Sequence, residues 1–509
     1  MTPHGTGRAA NEATEALSGI AHAADQLAAD AYAVGGYVRD RLVGVETRDI
    51  DILLTGAVRE IAERIAAQFD ASLVALREAE PTIRLVFSDR SHIDLCLPRR
   101  RTTAVDSPSA DFLAEDLQSR DFTVNAMALP LEAVDRDDWR EHVADPTGGS
   151  EDIRRRVIRA TNPGVWQDDP ARLVRALRLA AQLGFELDAQ AESEIREHAG
   201  LVTNVAPERI RDELIAILRR RDAHKWLARA AKLGLLFAIL PELAALQSVP
   251  AMGYHHLDGW RHALAVAQRI DVLARCAPGM SAEHQAKLAD VFAAPLAGDR
   301  PRLALLKLAG LLHDVAKPST RGADEEGDLH FYGHDKDGAG MAREAGRKLR
   351  LGRRELSYLE LAVGAHMHPA FLAQEQEVSR RAAHRFFRRT GSCAPDVLVL
   401  AWADRLCARG LAAGREGIER VESLVRWLLA EWLDHSPLSH PEAPVGARAI
   451  MSRYSLEAGP AVGRLVEALQ RRHAEQPFAD AQEAWAFLDP LARGVAANGV
   501  ELQDDDESE

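Results

Sequence analysis

An α+β head followed by a long all-α remainder is the architecture this sequence predicts, and three observations carry it. Between Tyr32 and Leu97 short β-like runs recur, broken by glycine and turn residues, with one helical stretch among them. The segment ADPTGGSEDI at 144–153 is dense in turn formers. Beyond it apolar residues recur at helical spacing almost to the end of the chain, as in Leu173, Leu177 and Ala180.

Taken in order, residues 1–28 are Ala-rich with scattered acids and read as an N-terminal arm, a weak helix or a loose segment without chemistry. The runs AYAVGG, RDIDILL, ASLVAL, TIRLVF and HIDLCL read as strands of a mixed sheet, and VREIAERIAAQF as a helix between the second and third. These belong to a head spanning 29–145. A helical neck and body at 146–248 follow, then a histidine-rich helical region at 249–412 that contains a Pro- and Gly-punctuated connection at 315–335. Residues 413–509 read as a further helical region that closes on a solvated acidic tail, DDDESE.

Length agrees with several domains, since single cores stop growing near ~250–300 residues and the chain has 509. A hydrophobic fraction of 47% and a charged fraction of 28% exclude a disordered chain. Lys and Arg number 63 against 77 Asp and Glu, a formal net charge of −14, which disfavours coating nucleic acid nonspecifically but leaves room for a local basic groove. Cys96, Cys276, Cys393 and Cys407 form no CxxC pair, so neither a zinc ribbon nor a disulfide framework is expected, and a reducing cytoplasm suits them. The strongest apolar run, Leu233 to Leu240, is too short to span a bilayer, and the start lacks a signal-like pattern, so a soluble chain with no membrane partner is expected.

The stretch VGGYVRDRLVGVETRDIDILL holds the first constellation. In a strand, residues i and i+2 face the same way, so the Asp49 and Asp51 carboxylates converge where they can hold Mg²⁺ for phosphoryl transfer. Gly35 and Gly36 let backbone N–H groups approach phosphate oxygens without an intervening Cβ. Arg39 and Asp40 lie between the two motifs, and Asp94 in SHIDLC is the candidate for a third acid from a neighbouring strand. A DxD strand alone is also what two solvated surface acids look like, and a GG pair alone an ordinary turn.

In this combination the chain resembles the class II tRNA nucleotidyltransferase and bacterial poly(A) polymerase family, whose head is a polymerase-β-like nucleotidyltransferase. RDFTVNA at 120–126 resembles that family's sugar-recognition motif, DPTGGSEDI at 145–153 its neck hinge, and DDPARLVRALRLAAQLGF its base-recognition helix. The resemblance covers about residues 31–220. It implies ATP and CTP as substrates and the 3′ end of tRNA as acceptor, with Gly35, Gly36, Arg39 and Asp40 near the triphosphate. It also implies Arg120, Asp121 and Asn125 near the ribose, and Asp169 and Arg172 reading the base. One acceptor-only carboxylate and one donor-only guanidinium at i and i+3 can match the Watson–Crick edges of both cytosine and adenine. Asp169 before Pro170 equally has the form of a helix cap.

Ser119 stands where the family usually has a further arginine and Asp168 where it usually has Glu. The loop between the Asp94 strand and Arg120 looks shorter than in many CCA-adding members and lacks their Tyr and Arg pattern, which leaves CCA, CC-only and A-only addition all open. Arg154, Arg155, Arg156 and Arg159, then Arg172, Arg175 and Arg178, then Arg219, Arg220 and Arg221 could track an RNA backbone.

The second constellation comprises His262 in WRHALAVA, His313 and Asp314 in LLHDVAKP, His334 in HFYGHDKD, His366 in GAHMHP and Asp404 in LAWADRLCA. Imidazoles and carboxylates projected from separate helices suit a divalent transition metal, and a His-Asp doublet between apolar LAGLL and VA would be costly to bury unless it bound something. This spacing resembles the HD phosphohydrolase superfamily. The resemblance implies His262, His313, Asp314 and Asp404 as primary ligands of Mn²⁺, Co²⁺ or Ni²⁺, His334 and His366 as further ligands or phosphate contacts, and Lys317 as a phosphate contact. His255, His256, His330 and His368 read as ordinary surface or core histidines.

The expectation is therefore a tRNA 3′-end nucleotidyltransferase whose HD domain hydrolyses phosphate esters such as 2′,3′-cyclic phosphates, with no oligomeric state specified. A poly(A) polymerase of the same family is the second reading, disfavoured by the acidic tail. An HD phosphohydrolase with an inactive head and an RNA-binding protein inactive at both sites are the alternatives from other classes. The intact Asp49 and Asp51 argue against both.

Overall fold

A computed structural model of the chain describes residues 12–75, 82–98, 112–251, 256–298, 300–325, 328–408 and 414–498. The chain divides into two compact units, 1–214 with 229–239, and 215–228 with 240–509. No helix among the described residues is long and apolar enough to cross a membrane.

In the first unit, β1 (Ala31–Val34), β2 (Asp49–Leu54), β3 (Ser72–Ala75), β4 (Ile83–Val86) and β5 (His92–Cys96) are the five expected strands, and β6 (Ala128–Pro130) joins them. The sheet runs β3-β4-β5-β2-β1-β6. Strands β2 and β5 pair in parallel and their other neighbours antiparallel, so the sheet is mixed as expected. Alternation along β2 divides its side chains between two faces. Ile50, Ile52 and Leu54 join the main core with Ile93 and Leu95 of β5, whereas Leu53 packs on the opposite face with Val34, Leu117, Ala126 and Ala128. Asp49 and Asp51 share that second face with Leu53, so the same periodicity that buries the isoleucines turns the acids away from the main core.

Of the two readings of the N-terminal arm, the helix is the one that holds from residue 12 onward. Glu12–Gln26 is α1, whose Ala13, Ala16, Leu17, Ile20, Ala23 and Ala24 are buried in the main core beside Ile61 and Ile65 of α3 (Val58–Phe69). That core lies on one face of the sheet. Between them, α2 (Gly36–Val43) follows β1 directly. Helix α4 (Phe112–Gln118) precedes the motif at 120–126, and α5 (Gly149–Arg155) opens the helical part.

Helices α6 (Val165–Asp168), α7 (Ala171–Leu183), α8 (Ala189–His198) and the start of α9 (Pro207–Leu218) fall in the same compact unit as the sheet. The region is helical except for a parallel pair of two-residue strands, Val157–Ile158 and Glu186–Leu187. The acidic tail and most of the loop between β5 and Arg120 lie outside the described residues.

The second unit is helical, with two small antiparallel strand pairs among the described residues, Pro295–Ala297 with Arg300–Pro301 and Gly322–Ala323 with Leu329–His330. Helix Arg302–Leu312 is buried along Ala304–Leu312 and crosses helix Gly259–Leu273 closely. At the crossing a Cβ on Gly310 would lie 2.5 Å from Ile270 Cδ1, so a larger residue there would require the Ile270 side chain to move. Helices Ala447–Tyr454, Pro460–Glu475 and Ala481–Asn498 gather round a separate core that includes Ile450, Leu465 and Leu488.

Candidate active sites

Parallel pairing of β2 with β5 puts Asp51 in register with Asp94 and Asp49 with His92. The consequence is an acidic cluster in which one carboxylate oxygen each from Asp49, Asp51 and Asp94 lie within 4.8 Å of one another. All the donors are hard oxygens, and this set fits Mg²⁺. Asp94 is held on its far side by Arg84 of β4, whose Nε and Nη2 donate to its two oxygens at 2.7 Å each. His92 Nε2 stands 2.9 Å from Asp49 Oδ1. Arg84 and His92 escaped the sequence reading, although alternation along β4 and β5 places both on the acids' face.

The cluster opens on a cleft of about 470 Å³ lined by Gly35, Gly36, Arg39, Asp40, Thr47, Asp49, Asp51, Arg120, Asp121, Asn125, Arg175, Arg178 and Gln182. Gly35 has φ +69°, and a Cβ there would lie 3.3 Å from Arg120 Nη1 and 3.5 Å from Asp51 Oδ2. A side chain at this turn would therefore fill the mouth of the acidic cluster.

Behind the glycines a polar chain crosses the cleft. Arg39 Nε donates to Asp40 Oδ1 at 2.8 Å and Nη1 to Asn125 Oδ1 at 2.6 Å, and Asn125 Nδ2 donates to Asp121 Oδ1 at 3.1 Å. Asp121 Oδ2 meets Arg175 Nη1 at 3.4 Å, and Glu213 of α9 holds Arg175 Nε at 2.9 Å and Arg178 Nε at 2.7 Å. Arg120 is buried against Asp116, Nε to Oδ2 at 3.0 Å. Burial raises the Asp40 carboxyl above its ordinary value despite Arg39. Burial would raise Asp121 too, but Arg175, Asn125 and the Phe122 N–H outweigh it and hold Asp121 below its ordinary value.

Asp169 and Arg172 are not among the residues lining this cleft. Asp169 accepts from Arg209 Nη1 and Nη2 at 2.9 and 2.7 Å and lies 3.9 Å from Arg172 Nε. It also accepts from the Ala171 N–H at 3.3 Å, so the cap reading of this aspartate has a physical basis in the fold. Several members of the expected arginine track are ion-paired. Arg154 meets Glu151, Arg159 meets Asp152 and Arg220 meets Asp222, so an RNA phosphate would compete with a carboxylate at each.

In the second unit, His262, His313, Asp314, His334, His366 and Asp404 come together from separate helices and connections. His313 and Asp314 follow the buried helix Arg302–Leu312, whose apolar sequence carries them into the interior. His262 Nε2 lies 2.9 Å from Asp404 Oδ1 and 3.7 Å from Asp314 Oδ2. His313 Nε2 is 3.2 Å from Asp314 Oδ2, and His334 and His366 approach Asp314 Oδ1 with Nε2 at 3.4 and 3.9 Å. Cis donors around an ion at ~2.1 Å stand roughly 3 Å apart, close to these spacings.

The rings are oriented for that task. The Nδ1 atoms of His313, His334 and His366 lie 2.8, 2.8 and 2.6 Å from the carbonyls of Gly310, Phe331 and Val363. Nδ1–H donation to each carbonyl places the lone pair on Nε2. Those three Nε2 atoms are buried and have no hydrogen-bond partner. Aimed at two carboxylates, they form a donor set that fits a divalent transition metal.

The carboxylates draw positive charge into the cluster, which a bound cation would supply in place of the proton on His313. Burial disfavours a charged imidazole, yet the Asp314 and Asp404 carboxylates push His313 up to about 10. Burial and the nearby His313 push His366 down to about 4. Lys317 Nζ pairs with Asp314 Oδ2 at 2.6 Å, which places it beside the cluster. His256 is exposed and His368 packs on Phe386, as ordinary histidines do, while His255 lies outside the described residues.

Comparison with known proteins matches residues 31–159 to the poly A polymerase head domain, 184–247 to the probable RNA and SrmB-binding site of polymerase A, and 255–409 to the HD domain. The chain is 33% identical to the A-adding tRNA nucleotidyltransferase of Deinococcus radiodurans, over 89% of this chain and 94% of that one. It is 31% identical to the CC-adding tRNA nucleotidyltransferase of Thermus thermophilus, over 90% and 93%. Among solved structures it shares a fold with the Thermotoga maritima CCA-adding enzyme complexed with tRNA, with TM-score 0.60, 18% identity and coverage of 94% and 96%.

Proposed function

We propose, for a chain that belongs to the tRNA nucleotidyltransferase family, that its head transfers C or A residues from CTP or ATP to the 3′ terminus of tRNA. The observation that carries this reading is the Asp49, Asp51 and Asp94 cluster at the mouth of a cleft lined by Gly35, Arg39, Asp121 and Asn125. The acceptor's 3′ oxygen attacks the α-phosphorus, the bond to pyrophosphate breaks, and the hydroxyl proton leaves to a carboxylate or to solvent. Asp49 and Asp51 would hold Mg²⁺, which neutralises triphosphate charge and favours the alkoxide form of the acceptor hydroxyl. Asp94, oriented by Arg84, completes the acidic set.

The Gly35–Gly36 turn lets phosphate approach the backbone closely, although the Gly35 N–H is itself bonded to the Met127 carbonyl, and Arg39 supplies positive charge beside it. Asn125 and Asp121 face the ribose hydroxyls, Arg120 steadies the turn from beneath, and Arg175 and Arg178 supply charge at the cleft wall. Asp169 and Arg172 read the base, with Arg209 holding the aspartate in place. In the second unit His262, His313, Asp314 and Asp404, supplemented by His334 and His366, would hold Mn²⁺, Co²⁺ or Ni²⁺. Lys317 faces the phosphate of an ester such as a 2′,3′-cyclic phosphate, whose hydrolysis frees a terminal hydroxyl. The four free cysteines suit work in the reducing cytoplasm.

Incorporation of labelled nucleotide into tRNA lacking CCA, or lacking only the final A, with CTP and ATP supplied separately, tests the head. The pattern of C and A addition identifies the step that it performs. Absence of incorporation on every acceptor with either nucleotide would overturn the reading.

A further inference from the structure

Among the described residues, Tyr332 and Phe371 are the exposed large aromatics, at 81% and 53% of full exposure. Both hang on segments that carry the histidines of the second site. Tyr332 lies two residues before His334, and Phe371 lies on helix His368–Leu372, which starts two residues after His366. Burial of an aromatic ring is favourable, so one left standing in solvent beside a polar centre calls for a ligand.

Tyr332 has a partner on one side of its ring. One face of its ring stacks on His330, with centroids 4.3 Å apart and planes 23° apart. His330 in turn lies over Gly322 on the facing strand, where a Cβ would stand 2.2 Å from the imidazole, so glycine makes the seat for that ring. The next residue before Tyr332 is bound into the site, because the Phe331 carbonyl is the partner of His334 Nδ1 and its ring lies 5.8 Å from Lys317 Nζ. This segment therefore presents one open aromatic face two residues from a histidine of the cluster.

We infer that Tyr332, backed by His330, is a stacking platform for the nucleobase of the ester cleaved at the second site, so that this site selects nucleoside phosphates over base-free phosphate esters. The inference rests on the phosphohydrolase reading of that site and specifies its substrate class. Base stacking on an aromatic ring is tolerant of base identity and is typically worth about tenfold or more in affinity. Tyr332 is a positioning residue here, remote from the bond that breaks.

The test compares hydrolysis of 2′,3′-cyclic AMP and of glycerol 1,2-cyclic phosphate by the full chain loaded with Mn²⁺ or Ni²⁺. Tyr332→Ala is expected to raise KM for cyclic AMP about tenfold with kcat little changed, and to leave the base-free ester unaffected. Tyr332→Phe should restore KM, and cyclic CMP should behave as cyclic AMP does. Equal kinetics of wild type and Tyr332→Ala on cyclic AMP overturn the platform while leaving the phosphohydrolase reading intact. A parallel loss on both esters also overturns it, because it marks Tyr332 as structural. A wild-type chain that cleaves neither ester overturns the phosphohydrolase reading and the platform with it.

Discussion

The two sites of this chain are built on opposite physical plans. In the head, two acids two residues apart on one strand are joined by a third from its parallel neighbour, and the register of the two strands projects them onto an open cleft whose donors are oxygens. In the second unit, the candidate ligands come from chain positions as far apart as His262 and Asp404, meet in the interior, and are mostly imidazoles, three of them with an Nε2 that makes no hydrogen bond. An open oxygen site can exchange substrate and ion together at each turnover. A buried imidazole site keeps its charge out of water and therefore couples function to folding.

The largest expected effect breaks the comparison at its first term. Asp49→Ala or Asp51→Ala should reduce nucleotide addition by roughly a thousandfold or more, since an ion clamp supplies several kcal/mol to the transition state. Thermal unfolding should barely move, because the lost side chain faces a cleft. Near-normal addition by either variant would remove the assignment.

His313→Ala or Asp314→Ala tests the second term. Hydrolysis of cyclic nucleotides with a transition metal should vanish, while addition with Mg²⁺ stays within about twofold. Unlike the head variants, these should cost about 2–4 kcal/mol of stability in denaturant titration, since each leaves buried polar partners unmatched. If His313→Ala stops addition, the two plans are not independent.

A smaller effect concerns selection within the head. Asp169→Ala or Arg172→Ala should lower the preference for CTP and ATP over UTP and GTP by about tenfold or more, the size of a lost base-edge contact. Full selectivity in both variants would leave Asp169 as a cap for α7.

The smallest effect sharpens the electrostatic contrast. Asp121 has a folded pKa below its ordinary value, so its charge contributes stability that is fully present above the unfolded value of about 3.9 and is lost as pH falls through the folded value. Asp121→Asn should therefore cost about 1–2 kcal/mol near pH 7, and the gap to wild type should close as the pH falls below about 4. A gap that widens on acidification would contradict the direction of the shift.

Much of this was legible in the amino acids because both sites use strong local codes. Period-two alternation in RDIDILL predicts the face shared by Asp49 and Asp51, and register on β5 brings Asp94 beside them. The His-Asp doublet after LAGLL is conspicuous because nothing polar belongs there without a partner. Strand β6 was not legible, since three residues of an unbroken apolar run carry no alternation. Helix α1 was underestimated because its buried face is mostly alanine, which adds little hydrophobic signal although its spacing is helical. Arg209 and Glu213, which clamp Asp169 and the α7 arginines, lie on another helix, and no local pattern ties them to their partners.

The carbonyls that orient His313, His334 and His366 each belong to the residue three places earlier in the chain. Each ligand is thus aimed by its own preceding turn rather than by the ion it is to meet. The aim of each imidazole is thereby set one turn at a time, so replacing one of the three should leave the direction of the other two unchanged.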